Sequence, residues 1–286
     1  GFAVSVLSLV VSVLRRWPER KDLPPPGFIL VAMGLFSGFV GGVCLALQSW
    51  LSLPLWVYAL GRLLLNEAFI LFPVLGAGSY LLPRMLGLPN RHLITPKSAD
   101  PTPPWWARVS FMSGLGLILL VGVVLEVTGW IRTAFFLRAI AVTGGLLHEL
   151  PLYRVRQMRG SIPWALLIAV CSILLGYWTL ALFPQRYMTY AHVVFISGFG
   201  LLVLNISARV MLGHSGNTEL IYTRSVASKW ITGLVLLAMA TRVSADLLPR
   251  MQLSHYAYAA VTWVVLSLIW LVIYGPLAAE GPGAEA

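Results

Sequence analysis

The sequence predicts an all-α fold, a polytopic transmembrane helix bundle of about nine spanning helices, and three observations carry that prediction. Of the 286 residues 58% are apolar and only 10% are charged, whereas a soluble domain carries about 25% charged residues. The mean hydropathy is +0.84. The apolar runs are continuous rather than alternating, which speaks for helices and against a β-barrel. A formal charge of +10 matters here through its distribution among loops, so the expected partner is the lipid bilayer and not nucleic acid.

Windows of about 20 residues, the length that spans a bilayer, fall near 1–14, 28–50, 54–82, 106–128, 131–150, 162–183, 187–212, 226–248 and 256–277. The first is short and has neither the basic leading region nor the small-residue cleavage site of a signal peptide, so it reads as a truncated helix. The second is rich in glycine (Gly34, Gly38, Gly41, Gly42), as is the seventh (Gly198, Gly200). Small residues let helices approach closely, and a flat macrocycle also needs them beside it. Pro89, Pro96, Pro101, Pro103 and Pro104 mark 87–106 as an extended loop joining a first set of helices to a second. Residues 1–279 read as one bundle, and the acidic, small-residue stretch 280–286 as a disordered tail. Trp50, Trp105, Trp106, Trp130 and Trp230 stand at segment ends, where indoles prefer the membrane interface. Cys44 and Cys171 lie inside apolar runs and read as small buried hydrophobes rather than a disulfide.

Basic residues alternate between loops. Arg15, Arg16, Arg20 and Lys21 follow the first segment, and Arg84, Arg91, Lys97 and Arg108 follow the third. Arg154, Arg156 and Arg159 follow the fifth, and Arg224 and Lys229 the seventh; the intervening loops hold Arg132, Arg186 and Arg250 singly. The positive-inside rule makes the first set cytoplasmic, with residue 1 outside and the C-terminus inside.

That topology assigns depths to the buried polar groups. Glu126, Arg138, His192, Arg242, Asp246 and His255 all fall in the outer half, with Glu67 near mid-membrane and Arg62 closer to the outer end. Such groups are costly in lipid and normally pair inside a bundle, so convergence on one polar site is expected. Their plain alternative is mutual pairing that fixes helix packing; Arg242 and Asp246 are spaced to do so at i,i+4. Histidine is a haem or copper ligand, and arginine neutralises carboxylates by bidentate hydrogen bonding. His192 is the leading ligand candidate, with His255, a residue at a helix entrance, behind it. His148, beside Glu149, and His214 stand at cytoplasmic helix ends, where the macrodipole alone accounts for them, and a metal role is the alternative. About 22 residues separate His192 from His214, roughly 33 Å of helix, so the two cannot share a ligand. His92, in the Pro-rich loop, reads as exposed.

The block from His192 through Arg209 to Leu212-Gly213-His214-Ser215-Gly216 resembles the signature of the NnrS family, haem- and copper-containing bacterial membrane proteins associated with nitric oxide metabolism and nitrosative stress. Gly61 to Glu67, then Gly76 through Leu81-Leu82-Pro83-Arg84, then Leu137-Arg138-Ala139 fit the same resemblance in order. Members have about twelve spanning helices, so these nine would be the last nine, preceded by a histidine-rich helix absent here. Ser215 stands where the family usually has Thr, and Asn217 where a basic residue is common.

The resemblance implies an integral haem protein of the bacterial inner membrane acting in nitric oxide handling. His192 would be the axial ligand, Arg138 and Arg242 would contact propionates, and Glu126 or Glu67 would hold a proton. A redox or respiratory membrane partner and a homo-oligomer are the assemblies such a protein would enter. Two other readings stand beside it: a cofactor-free structural subunit of a respiratory complex, and a secondary transporter using the same buried charges. No nucleophile sits beside a base in a strand–turn–helix setting, which speaks against a hydrolase.

Overall fold

The computed structural model describes residues 2–19, 22–89 and 100–278, all helix and connection without a strand among them. Arg20, Lys21, the loop residues 90–99 with Arg91, His92, Pro96 and Lys97, and the tail 280–286 lie outside the described residues. Helices stand at all nine expected windows: α1 (Phe2–Arg16), α2 (Phe28–Trp50), α3 (Leu55–Leu63) continuing into α4 (Phe69–Met85), α5 (Pro103–Val127), α6 (Ile131–Glu149), α7 (Ser161–Leu182), α8 (Tyr187–His192) continuing into α9 (Leu201–His214), α10 (Val226–Leu247) and α11 (Gln252–Tyr274). Seven spans among the described residues are long and apolar enough to cross a membrane, which makes this a multi-pass membrane protein. The two helices outside that set are α1, with only 15 residues, and α6, whose 19 residues include Arg132, Arg138, His148 and Glu149.

Two boundaries differ from the sequence reading for local chemical reasons. Helix α5 starts three residues early because Pro103 and Pro104 occupy its first turn, where no amide hydrogen bond is lost. Helix α11 starts at Gln252 because a short turn, Pro249–Met251, feeds directly into it. His255 therefore sits within the first turn of α11 rather than ahead of it.

The chain packs as two compact units, Gly1–Arg84 with Pro89–Leu152, and Met85–Leu88 with Tyr153–Ala286. In the first, Gly41 lets α2 touch the chain at the end of α3. A Cβ there would stand 2.7 Å from both Gly61 O and Leu65 N. In the second, Gly176 of α7 meets Val194, and Gly198 meets Ile173 of α7. The glycines at these crossings are filled by neighbouring chain, so helix packing accounts for them. The outward faces are apolar: on α11, Val261, Val264, Leu268, Leu271 and Val272 are all more than half exposed. Large apolar residues in such a row need lipid around them. Hydroxyls inside the spans are satisfied locally, as in Ser37 to Met33 O and Ser197 to Val193 O, one turn back.

Two spans of 31 residues, Leu55–Met85 and Pro184–His214, carry a π-helical interruption. It covers Leu64–Ala68 between α3 and α4, and Val193–Gly200 between α8 and α9. A π turn accommodates an extra residue, and one residue is about 100° of helix rotation, so everything beyond it is re-aimed.

Candidate functional site

In the first unit the π turn carries Glu67 inward. Its carboxylate receives Arg138 Nη1 at 2.7 Å on both oxygens. Arg138 Nη2 donates to Glu126 Oε2 at the end of α5, and Nε donates to Ala134 O at 3.4 Å. The guanidinium also lies over the Phe135 ring, 4.8 Å from its centroid. Arg138 is 1% exposed and Glu67 7%, so this pair is withdrawn from solvent, while Glu126 is only partly buried. Gly122 makes room for it: a Cβ there would meet Arg138 Cγ at 2.8 Å. Arg62 on α3 acts electrostatically on Glu126, giving two carboxylates and two guanidiniums, a formally neutral set. Buried charges persist only when paired in this way.

In the second unit a smaller set gathers where α8 passes into its π turn. Arg242 Nη1 donates to Asp246 Oδ1 at 2.8 Å within α10, the i,i+4 pair expected from the spacing. Tyr256 of α11 donates its hydroxyl to the same oxygen at 2.6 Å, and Arg242 lies over the Tyr256 ring at 4.3 Å. The Thr189 side chain also acts on the Asp246 carboxylate, whose Oδ2 is buried without a close hydrogen-bond partner. His192 lies within electrostatic reach of both Arg242 and Asp246. Its Nδ1 faces Met188 O one turn back. A carbonyl there demands the N–H on Nδ1, which leaves the Nε2 lone pair free to bind an electrophile or a metal. His255 is held nearby through Nδ1 and the Ser244 hydroxyl at 2.8 Å.

A family model described as NnrS protein matches residues 2–280. The chain belongs to the NnrS family. No curated protein and no solved structure matches it. The resemblance carried by the His192–Gly216 block therefore extends over almost the whole of this NnrS chain, and links it to membrane proteins of nitric oxide metabolism.

The structure brings the expected residues of the NnrS chain together in two sets. Glu67, Glu126 and Arg138 form one; His192, Arg242, Asp246 and the neighbouring Ser244–His255 pair form the other. His214 ends α9 with Nδ1 on Val210 O at 2.9 Å, and Arg209 donates to Met85 O and to the Tyr222 hydroxyl, each at 3.0 Å. His148 pairs with Glu149 at 3.0 Å and stacks on Phe111. Among the described residues no three of His, Cys, Asp and Glu gather as a metal-ligand group. They therefore do not fit a copper centre built from three donors of this chain. A single ligand asks less: one ring nitrogen of His192 is oriented by a carbonyl and the other is left open. Arg242 is the cation beside it.

Sequence reasoning missed Tyr256, which completes the Asp246 pair, Gly122, which admits Arg138, and both π turns. Nothing in a hydropathy pattern marks Gly122 or Tyr256. The π turns had one usable signal, apolar windows much longer than the roughly 20 residues a bilayer needs.

Proposed function

We propose that this chain is an integral protein of the bacterial inner membrane that handles nitric oxide through a haem held axially by His192 Nε2. The single observation that supports it is the His192 geometry: Nδ1 committed to Met188 O, Nε2 open, with Arg242 and Asp246 alongside. A haem bound there would supply an iron that takes a small diatomic ligand.

The residues of the chain do the rest. Met188 O orients the imidazole and sets its tautomer. Arg242 presents a cation suited to a propionate carboxylate, held against the Tyr256 ring and by Asp246, which in turn accepts from the Tyr256 hydroxyl. Asp246 Oδ2, without a close hydrogen-bond partner, is the acceptor that can take a proton or a donor group from a bound molecule. Arg138 is committed to Glu67 and Glu126, and in this reading it holds the first unit together rather than reaching a propionate.

The test is a reduced-minus-oxidised absorption spectrum of the detergent-purified chain, with iron and copper quantified on the same sample. Near-stoichiometric iron with sharp α and Soret bands is expected. His192→Ala should lose most of the haem while His214→Ala and His148→Ala keep it. Full retention in His192→Ala overturns the ligand assignment. A colourless wild-type chain overturns the haem reading and favours the structural-subunit or transporter alternative, to which the two interrupted 31-residue spans would then belong.

A further inference from the structure

A cavity of about 850 Å³ opens in the second unit between the first turns of α7 and α10, away from any residue of the proposed haem site. Arg159, Arg224 and Lys229 line it, and no acidic side chain does. None of the three side chains makes an ion pair or hydrogen bond among the described residues, so none of those residues compensates their charge. Two helix N-termini open beside them: Ser161 starts α7, and Lys229 is in the first turn of α10. Backbone amides and macrodipoles at such ends favour an anion.

The floor is built rather than incidental. Gly160, at φ +91°, turns the chain tightly against the Tyr222 backbone, where a Cβ would stand 2.7 Å from Tyr222 C. Ser161 N donates to Thr223 O at 3.0 Å, locking the two segments together. Ser161 is among the lining residues, and its hydroxyl is buried, with the residue only 8% exposed, and has no hydrogen-bond partner. An unpaired buried hydroxyl among three free cations points to a ligand with acceptor oxygens.

Apart from Thr232, whose hydroxyl bonds Ser228 O one turn back, the wall beyond the cations is apolar, with Ala165, Ile168 and Leu236 along α7 and α10 as these run on into their spans. The cations therefore stand at the level of lipid headgroups and the apolar wall at the level of acyl chains. Trp164, half exposed at the rim, has the position of an interfacial indole. We propose that this pocket binds a phosphate-bearing anion through Arg159, Arg224, Lys229 and the Ser161 hydroxyl, and that the apolar wall makes its occupant the headgroup of an anionic phospholipid.

The test measures the thermal-unfolding midpoint and native mass of the delipidated full chain titrated with phosphatidylglycerol, phosphatidylcholine or inorganic phosphate. Phosphatidylglycerol is expected to bind and to raise the midpoint, and phosphatidylcholine is not. Removing charge by Arg159→Gln, Arg224→Gln and Lys229→Gln should weaken binding about fivefold each. Gly233→Leu keeps every charge and has open space at its Cβ, so it fills the cavity without disturbing the fold. It should abolish phosphatidylglycerol binding, which general attraction to an anionic surface would not. A response to inorganic phosphate equal to that of the lipid supports the anion site and reassigns its occupant to a soluble phosphate. Binding that is absent for both ligands, or unchanged in Gly233→Leu, overturns the proposal.

Discussion

Two charge sets, one in each unit, use the same parts in opposite ways. Each lies beside a π turn in a 31-residue span, and each has an acid at the last-but-one position of the next long helix in the chain, Glu126 on α5 and Asp246 on α10. Four residues before that acid stands Gly122 in the first unit and Arg242 in the second. The glycine opens a hole through which Arg138 reaches from α6 to bind acids on two other segments. The arginine instead pairs within its own helix, and leaves Asp246 Oδ2 without a close hydrogen-bond partner and His192 Nε2 open. In the first set Arg138 is spent on two carboxylates and stitches helices together, with Arg62 Nε beside it buried without a hydrogen-bond partner. The other is unsaturated and has valence left for a ligand. In the proposed haem reading, similar residues in similar places thus divide into scaffold and site according to which helix supplies the cation.

The contrast is broken most severely at Arg138. Replacing it with Ala leaves the buried Glu67 and the partly buried Glu126 without their cation and should cost about 3–5 kcal/mol. Reversible unfolding in mixed micelles measures this; a cost below that of Arg242→Ala would reverse the assignment of scaffold and site. Gly122→Val comes next, because its branched side chain would collide with the Arg138 stem. About 1–3 kcal/mol of destabilisation is expected in the same assay, and combining it with Arg138→Ala should relieve most of the penalty, since the obstacle and the obstructed group are then both gone. A strictly additive double variant would show that the two do not touch.

The second set should respond more weakly. Tyr256→Phe removes one hydrogen bond from a carboxylate that keeps Arg242, a loss of about 1 kcal/mol, and infrared spectroscopy of the Asp246 carboxylate should register the change where global stability barely does. His192→Ala should be milder still, about 0.5–1 kcal/mol, since its bond stays within one helical turn. That small effect sharpens the comparison: a residue nearly neutral for stability but decisive for bound haem is a ligand, whereas equal losses of both would place His192 in the scaffold.

Much of this was legible in composition and spacing. Continuous apolar windows located all nine helices to within a few residues, because the cost of burying an unpaired backbone in lipid leaves few alternatives to helix. The i,i+4 spacing of Arg242 and Asp246 named its own pair, since neighbours on one helix face meet whatever the tertiary fold does. Glu67, Glu126 and Arg138 were identifiable as groups that need partners, but which partners they take depends on contacts across helices. The single polar site expected from depth alone resolved into two sets. Depth along a helix is linear in sequence, whereas the direction a side chain faces changes by about 100° with each residue, and a π turn resets it.

By itself the sequence determined the class, the helices, the family and the residues that carry charge into the membrane, because hydrophobicity and rise per residue act locally. Only the tertiary structure decided which charges are spent on one another. Gly122 is unremarkable until Arg138 is seen to need its space, and Asp246 is merely paired until its second oxygen is found without a close donor. The same holds for the cavity between α7 and α10, whose three cations come from two separate stretches of chain, Arg159 from one and Arg224 with Lys229 from the other, and act together only once those two helices pack. Valence left over after packing is a property of all neighbours at once, and no single segment of sequence contains it.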